Sequence, residues 1–177
     1  MPNNRSQSEA YQRQARSDYQ TATLLRQPAA ILSRGKARCH TAAMCQQVVE
    51  KSVKSLYLAM GQTPRRTHQV GQYIAIIMVE PLCSKFGNDV RRTLSRIFSP
   101  SARQTSESLS ALVPKSKEDD PGQTRLNTEY PFFKGDDWVA PCDDSAFHEG
   151  DIDSLFRETG RILDGTARVC DLIHRIS

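Results

Sequence analysis

The cations Lys51, Lys54, Arg65, Arg66 and His68 crowd into one short stretch of the chain, and as a group they have the chemistry to hold a phosphate. An Arg guanidinium meets phosphate oxygens through paired N–H donors, whereas a Lys ammonium acts as a point charge. Lys51 and Lys54 are three residues apart, which sets them on one side of a helix. A nucleotide or an RNA backbone is the ligand class such a patch would take. The same residues also have a structural reading. Glu50 precedes Lys54 by one helical turn and can pair with it, and Thr67 is suited to cap a helix starting at His68.

Other reactive side chains are less organised. The paired acids Asp119-Asp120, Asp136-Asp137 and Asp143-Asp144 could suggest a divalent cation, but they follow no recognised ligand spacing and read more simply as solvated turn residues. The cysteines Cys39, Cys45, Cys83, Cys142 and Cys170 are odd in number, scattered, and contain no C-x-x-C pair. They point to free thiols and not to a disulfide framework or a zinc site. No Gly-rich phosphate loop or nucleophile elbow is present. The sequence therefore calls for no metal and no cofactor.

What must position these residues is a chain of 177 residues, enough for one domain with one core. We read 1–177 as a single helical domain. Its longest apolar run, Ile74 to Leu82, is broken by Glu80 and Pro81, far short of the roughly 18 residues a membrane span needs. The first residues lack the apolar stretch of a secretory signal, so a cytoplasmic protein with no membrane association is expected. Charge is unevenly laid out. Residues 1–100 hold 15 Lys and Arg against 5 Asp and Glu, and residues 101–177 hold 9 against 15, within a net charge of +4. Either the basic half attracts an anion such as RNA, or the two halves neutralise each other across an intramolecular or dimer interface.

Apolar spacing assigns the elements. Tyr11, Ala15, Tyr19, Ala22 and Leu25 recur at three and four residues and mark one face of a helix from Ser8 to about Gln27, closed by Pro28. Ala42, Cys45, Val49, Val53, Leu56 and Met60 trace a second, strongly amphipathic helix that Gly61 and Pro64 stop. A third runs to Val79, a fourth from Leu82 to about Phe98, and Ser99 to Val113 suits a minor helix. From Pro114 to Gly150, Pro, Gly and paired Asp leave no helical period, so an extended irregular loop is expected, pinned to the bundle by Tyr130, Phe132, Phe133 and Trp138. Ile152, Leu155, Ile162, Val169 and Ile173 then define a last helix from Asp151 to Ile176. No strand pattern competes. The fold class is all-α: an up-and-down bundle of four long helices plus minor ones, with the loop before the last helix.

The second helix and the tract after it carry a more specific pattern. Gln46 and Gln47 lead to Glu50-Lys51, then Lys54, Gly61 and Thr67-His68. This arrangement resembles the central signature of the HEPN domain family, and Ala15, Asp18, Ala22 and Leu25 in the first helix fit it too. Residues 9–70 are covered well. Tyr130-Pro131 and the last helix fit loosely, with 125–176 as the extent. The resemblance implies a helical, often dimeric bundle that binds RNA or nucleotides. Many such proteins are metal-independent, toxin-like endoribonucleases paired with a small nucleotidyltransferase that neutralises them, as in toxin-antitoxin systems. Others are non-catalytic nucleotide-binding or assembly modules.

The catalytic members carry an Arg followed, after four to six residues, by a His. Two pairs here match, Arg34 with His40 and Arg168 with His174, and only the second lies in the last helix, where the family places it. There the His would serve as general acid or base at the 2′-hydroxyl and the Arg would stabilise the phosphorane charge. Val169 stands where a polar residue is usual, and six residues along a helix separate side chains by about 120° and roughly 9 Å. The reading this favours is a non-catalytic module that binds RNA or a nucleotide, or assembles with a nucleotidyltransferase-type partner. A metal-independent endoribonuclease using Arg168 and His174, with the pair completed across a dimer, is the alternative. A purely structural dimerisation module is a further one.

Overall fold

The structure is a computed structural model that describes residues 4–27, 34–64, 70–78, 85–112, 132–134, 137–143 and 146–176. Its elements are α1 (Asn4–Leu25), α2 (Arg34–Ala59), α3 (Val70–Ile77), α4 (Asn88–Ile97), α5 (Pro100–Ala111), the strands β1 (Phe132–Lys134) and β2 (Asp137–Val139), and α6 (Glu149–Ile176). The all-α class holds. Among the described residues three helices are long, α1, α2 and α6, with 22, 26 and 28 residues, against the four of the sequence pattern. The expected fourth long helix starts only at Asn88, because Gly87 before it sits at φ +85°, a left-handed conformation that no helix interior contains.

The long irregular loop is also modified. It contains an antiparallel hairpin in which Phe132 lies opposite Val139 and Phe133 opposite Trp138. Aromatic and β-branched residues favour such pairing, and three residues per strand are too few for an alternation to register in sequence. The suggested pinning by Tyr130, Phe132, Phe133 and Trp138 lies outside the described residues or side chains. The end of this segment docks through Phe147, which is buried and whose carbonyl accepts from Arg38 Nη1 at 2.7 Å.

Helix ends follow local chemistry. At the end of α2 the Gly61 N–H reaches the Leu58 carbonyl and the Gln62 N–H the Tyr57 carbonyl, with Gly61 at φ +79°; this is a Schellman stop, for which glycine is suited. At the start of α5 the Ser99 hydroxyl accepts from the Ala102 N–H, and Pro100 occupies the first turn.

Side-chain pairs give the helix directions. Ser8 meets Ser55 and Asp18 meets Lys51, so α1 runs antiparallel to α2. Gln12 meets Cys170 and Arg26 meets Asp153, so α1 is antiparallel to α6 as well. Arg38 with Phe147 and Ser55 with Cys170 show α2 and α6 running parallel. The main core gathers Val49, Val53, Leu56 and Met60 of α2, Ile74 and Ile77 of α3, Leu94 and Ile97 of α4, Leu109 of α5 and Ile162, Val169 and Ile173 of α6.

α1 joins this core differently. Its buried residues are Ser8, Gln12, Ala15, Asp18 and Ala22, a face of small and polar groups, while Tyr11, Tyr19 and Leu25 of the expected apolar face are only half-buried. The polar groups go inside because they find partners there. The Ser55 hydroxyl donates to the Ser8 carbonyl at 2.8 Å, and the Ser8 hydroxyl donates to the Ser55 carbonyl at 2.9 Å. Buried polar groups so satisfied carry little penalty.

Candidate anion-binding groove

The lysines of the expected phosphate patch are already occupied. Lys51 Nζ lies 2.5 Å from Asp18 Oδ2, joining α2 to α1. Lys54 Nζ lies 2.6 Å from Glu50 Oε1 within α2, and both side chains are buried. A ligand phosphate would have to displace these carboxylates. Arg65, Arg66, Thr67 and His68 lie outside the described residues.

Arg168 and His174 are not brought together. Arg168 is exposed and lines a groove of about 730 Å³ between α4 and α6. His174 is half-buried and lines a cavity of about 240 Å³ between α1 and α6, beside Gln12, Arg16 and Cys170. Its Nε2 is covered and has no hydrogen-bond partner among the described residues. The 120° that six helical residues impose thus places the two side chains on different faces of α6.

The groove that receives Arg168 also contains Arg96 of α4 and Arg157 and Arg161 of α6, with Tyr19 of α1 on its wall and Asp164 as its acid. All four arginines are exposed. Among the described residues Arg96, Arg157 and Arg168 form no ion pair, whereas Arg161 approaches Glu158 at 3.5 Å and donates to the Arg96 carbonyl at 3.4 Å. Arg157, Arg161 and Arg168 follow one another at four and seven residues, so they form a single stripe along α6.

Two glycines shape this groove. A Cβ on Gly165 would stand 2.5 Å from Ile97 Cγ1, so the absent side chain lets α4 pack directly onto α6. A Cβ on Gly160 would stand 2.5 Å from the Tyr19 hydroxyl, so the bare backbone makes room for that ring. Tyr19 stacks on Phe156 with centroids 4.7 Å apart. Burial above all, then the neighbouring Cys45 and Asp164, push the Tyr19 phenol above its ordinary range against the pull of Arg26. It therefore stays a neutral hydrogen-bond donor.

Two further arginines, Arg26 just past the end of α1 and Arg38 in the first turns of α2, are consumed by the fold. Arg26 pairs with Asp153 at 2.5 Å and covers the Phe156 ring, and Arg38 holds the Phe147 carbonyl. Among the described residues no group of three or more His, Cys, Asp or Glu converges as a metal site would. Asp143 of one acid pair accepts from the Ala140 N–H at 2.8 Å, the turn role its setting suggested. No described helix is long and apolar enough to cross a membrane.

Sequence reasoning missed Arg96, Arg157 and Arg161. The available signal was the arginine stripe on α6, which stands out inside an otherwise acidic half of the chain, whereas Arg96 joins it only through tertiary packing.

No curated protein and no solved structure matches the chain. The HEPN domain pattern matches residues 8–118, which takes in α1 with its Asp18 and α2 with its Glu50, Lys51 and Lys54, and stops before α6. That span is well over half of the 177 residues, and on it the chain belongs to the HEPN domain family.

Proposed function

We propose that the chain is a non-catalytic HEPN module that binds RNA or a nucleotide. The observation that carries this reading is the separation of Arg168 from His174. A general acid or base must reach the 2′-hydroxyl or the leaving oxygen within hydrogen-bond distance, and the His174 Nε2 is covered by protein on a face that Arg168 does not share. Arg168 instead stands with three further cations in an open groove, an arrangement that favours binding an anion over cleaving it. The tract Arg65-Arg66-Thr67-His68 adds candidate phosphate contacts by residue type. A nucleotidyltransferase-type protein or a second copy of the chain is the further partner that family membership suggests, and chromatography with light scattering tests the latter.

The test is RNA cleavage in EDTA by wild type, His174→Ala and Arg168→Ala, run beside a binding measurement on the same RNA. Folded wild type should bind RNA or nucleotide, more weakly as salt rises, and cleave nothing. Cleavage lost in both variants would overturn the non-catalytic reading in favour of an endoribonuclease site completed across two copies. Absence of any binding at low salt would remove the RNA and nucleotide reading.

A further inference from the structure

Resting on that RNA- or nucleotide-binding reading, we propose that the α4–α6 groove is the binding site. Its ligand is a single-stranded RNA segment with several consecutive phosphates, held by Arg157, Arg161 and Arg168 with Arg96 on the facing helix.

Length along the helix selects the ligand class. From Arg157 to Arg168 the α6 stripe rises about 16 Å, more than one phosphate of a mononucleotide can engage. A ligand that uses the whole stripe must present phosphates in series, as a nucleic-acid strand does. Guanidinium forks suit that task because each can take two oxygens of one phosphate.

Availability points the same way. Arg96, Arg157 and Arg168 are exposed and have no ion-pair partner among the described residues. Among the described residues the one ion pair in the stripe, Arg161 with Glu158, is 3.5 Å long with side chains 56% and 13% exposed, so Arg161 is free to turn to a phosphate while Glu158 keeps the Ser101 hydroxyl at 3.5 Å as a donor. Asp164 is the acid among the groove's lining residues; it sits between Arg161 and Arg168 in sequence and leaves both ends of the stripe cationic.

The walls favour a single strand. Tyr19, one ring face of which is taken by Phe156, turns its other face and its hydroxyl donor to the groove wall, and Leu172, 37% exposed, gives an apolar edge. Cations that track a backbone beside an aromatic side chain on which a base can stack are the usual make-up of single-strand sites. Contacts made mainly to phosphates and to a stacking face carry little base information, so binding should tolerate sequence changes.

The experiment measures fluorescence anisotropy of a labelled oligouridylate on the full chain. It compares wild type, Arg157→Glu/Arg168→Glu, Arg96→Ala, and the charge-matched control Arg13→Glu/Arg16→Glu on α1, with unlabelled UMP as competitor. Wild type should bind with a log–log salt slope of about −2 to −3, since each single-strand phosphate contact contributes about −0.7. The groove double variant should lose at least about tenfold in affinity and flatten that slope by about 1.4. Arg96→Ala should weaken binding several-fold, the control should stay within about threefold of wild type, and UMP should compete poorly. Equal binding by wild type and both groove variants would overturn the groove assignment while the RNA-binding reading stood. UMP competing as well as the oligonucleotide would overturn the serial-phosphate ligand. Wild type binding neither would remove this site and the reading beneath it together.

Discussion

Asp18 and Lys51, one on each of the first two helices, form a single ion pair across the α1–α2 interface, with Nζ and Oδ2 2.5 Å apart and side chains only 12% and 21% exposed. Lys51, which by type alone suggested phosphate chemistry, here holds two helices together. Asp18→Asn leaves the Lys51 charge buried without its partner. We expect a loss of about 2 kcal/mol, from the penalty for an uncompensated, partly buried charge. At this chain length that corresponds to a fall in Tm of about 4–8 °C. Replacing both residues, Asp18→Leu with Lys51→Met, should recover most of the loss, because the stranded charge is then gone. Thermal melts of wild type and the two variants test this, and a double variant no better than Asp18→Asn would show that the stranded Lys51 charge is not the source of the loss.

Gly165 is where α4 touches α6. Gly165→Ala sets a methyl 2.5 Å from Ile97 Cγ1, and the overlap should cost about 1–3 kcal/mol. Because Arg96 is one residue from Ile97 on α4, the same substitution should also weaken oligouridylate binding. Ile97→Ala added to Gly165→Ala should relieve the overlap. Melting and anisotropy on the single and double variants test both parts, and an unaffected Gly165→Ala would place the helix contact elsewhere.

Three thiols are shut inside the bundle. Burial pushes both Cys39 and Cys45 up to about 11, and Cys170 is raised as well, while Cys142 is exposed. In the native protein iodoacetamide should modify Cys142 promptly and the three buried thiols only on unfolding, as peptide mass mapping would show. Stability follows from the same shifts. The folded state retains the Cys39 and Cys45 protons to higher pH than the unfolded chain, whose thiols ionise near 8.5. The contribution is intact below that pH and is lost as pH rises toward about 11. Denaturant midpoints should therefore fall across that window, less so in Cys45→Ser than in wild type, after allowing for the variant's own lower baseline.

His174 carries a covered Nε2 with no partner among the described residues. An unsatisfied buried polar atom is destabilising, and replacing it by an apolar group of similar shape should be neutral or mildly stabilising. His174→Phe is expected to melt within a few degrees of wild type or slightly above it, and to bind oligouridylate unchanged. A marked loss of RNA affinity with the fold intact would return His174 to the ligand site.

Much of this was legible in the residues themselves. The three- and four-residue spacing of Cys45, Val49, Val53 and Leu56 specifies α2 and its buried face, because the period of a helix is local. Gly61 specifies where that helix stops, through a left-handed turn other residues resist. Glu50, Lys51 and Lys54 in their setting carry the family signature that the pattern match over 8–118 bears out.

Tertiary structure decided what those side chains do. A sequence does not state that Asp18 will lie opposite Lys51, since that depends on how an antiparallel helix pair is registered. The Glu50–Lys54 pair within α2 was legible from its one-turn spacing, whereas the pairing of Lys51 with a residue of another helix was not. The arginine stripe on α6 is written in the chain as a spacing, but it becomes a groove only where Gly165 admits α4 and Arg96 arrives from a distant part of the sequence. The Arg168 and His174 pair shows the converse: the local helical rotation already set the two side chains on separate faces of α6, and the packing of α4 and α1 decided which surroundings each face meets.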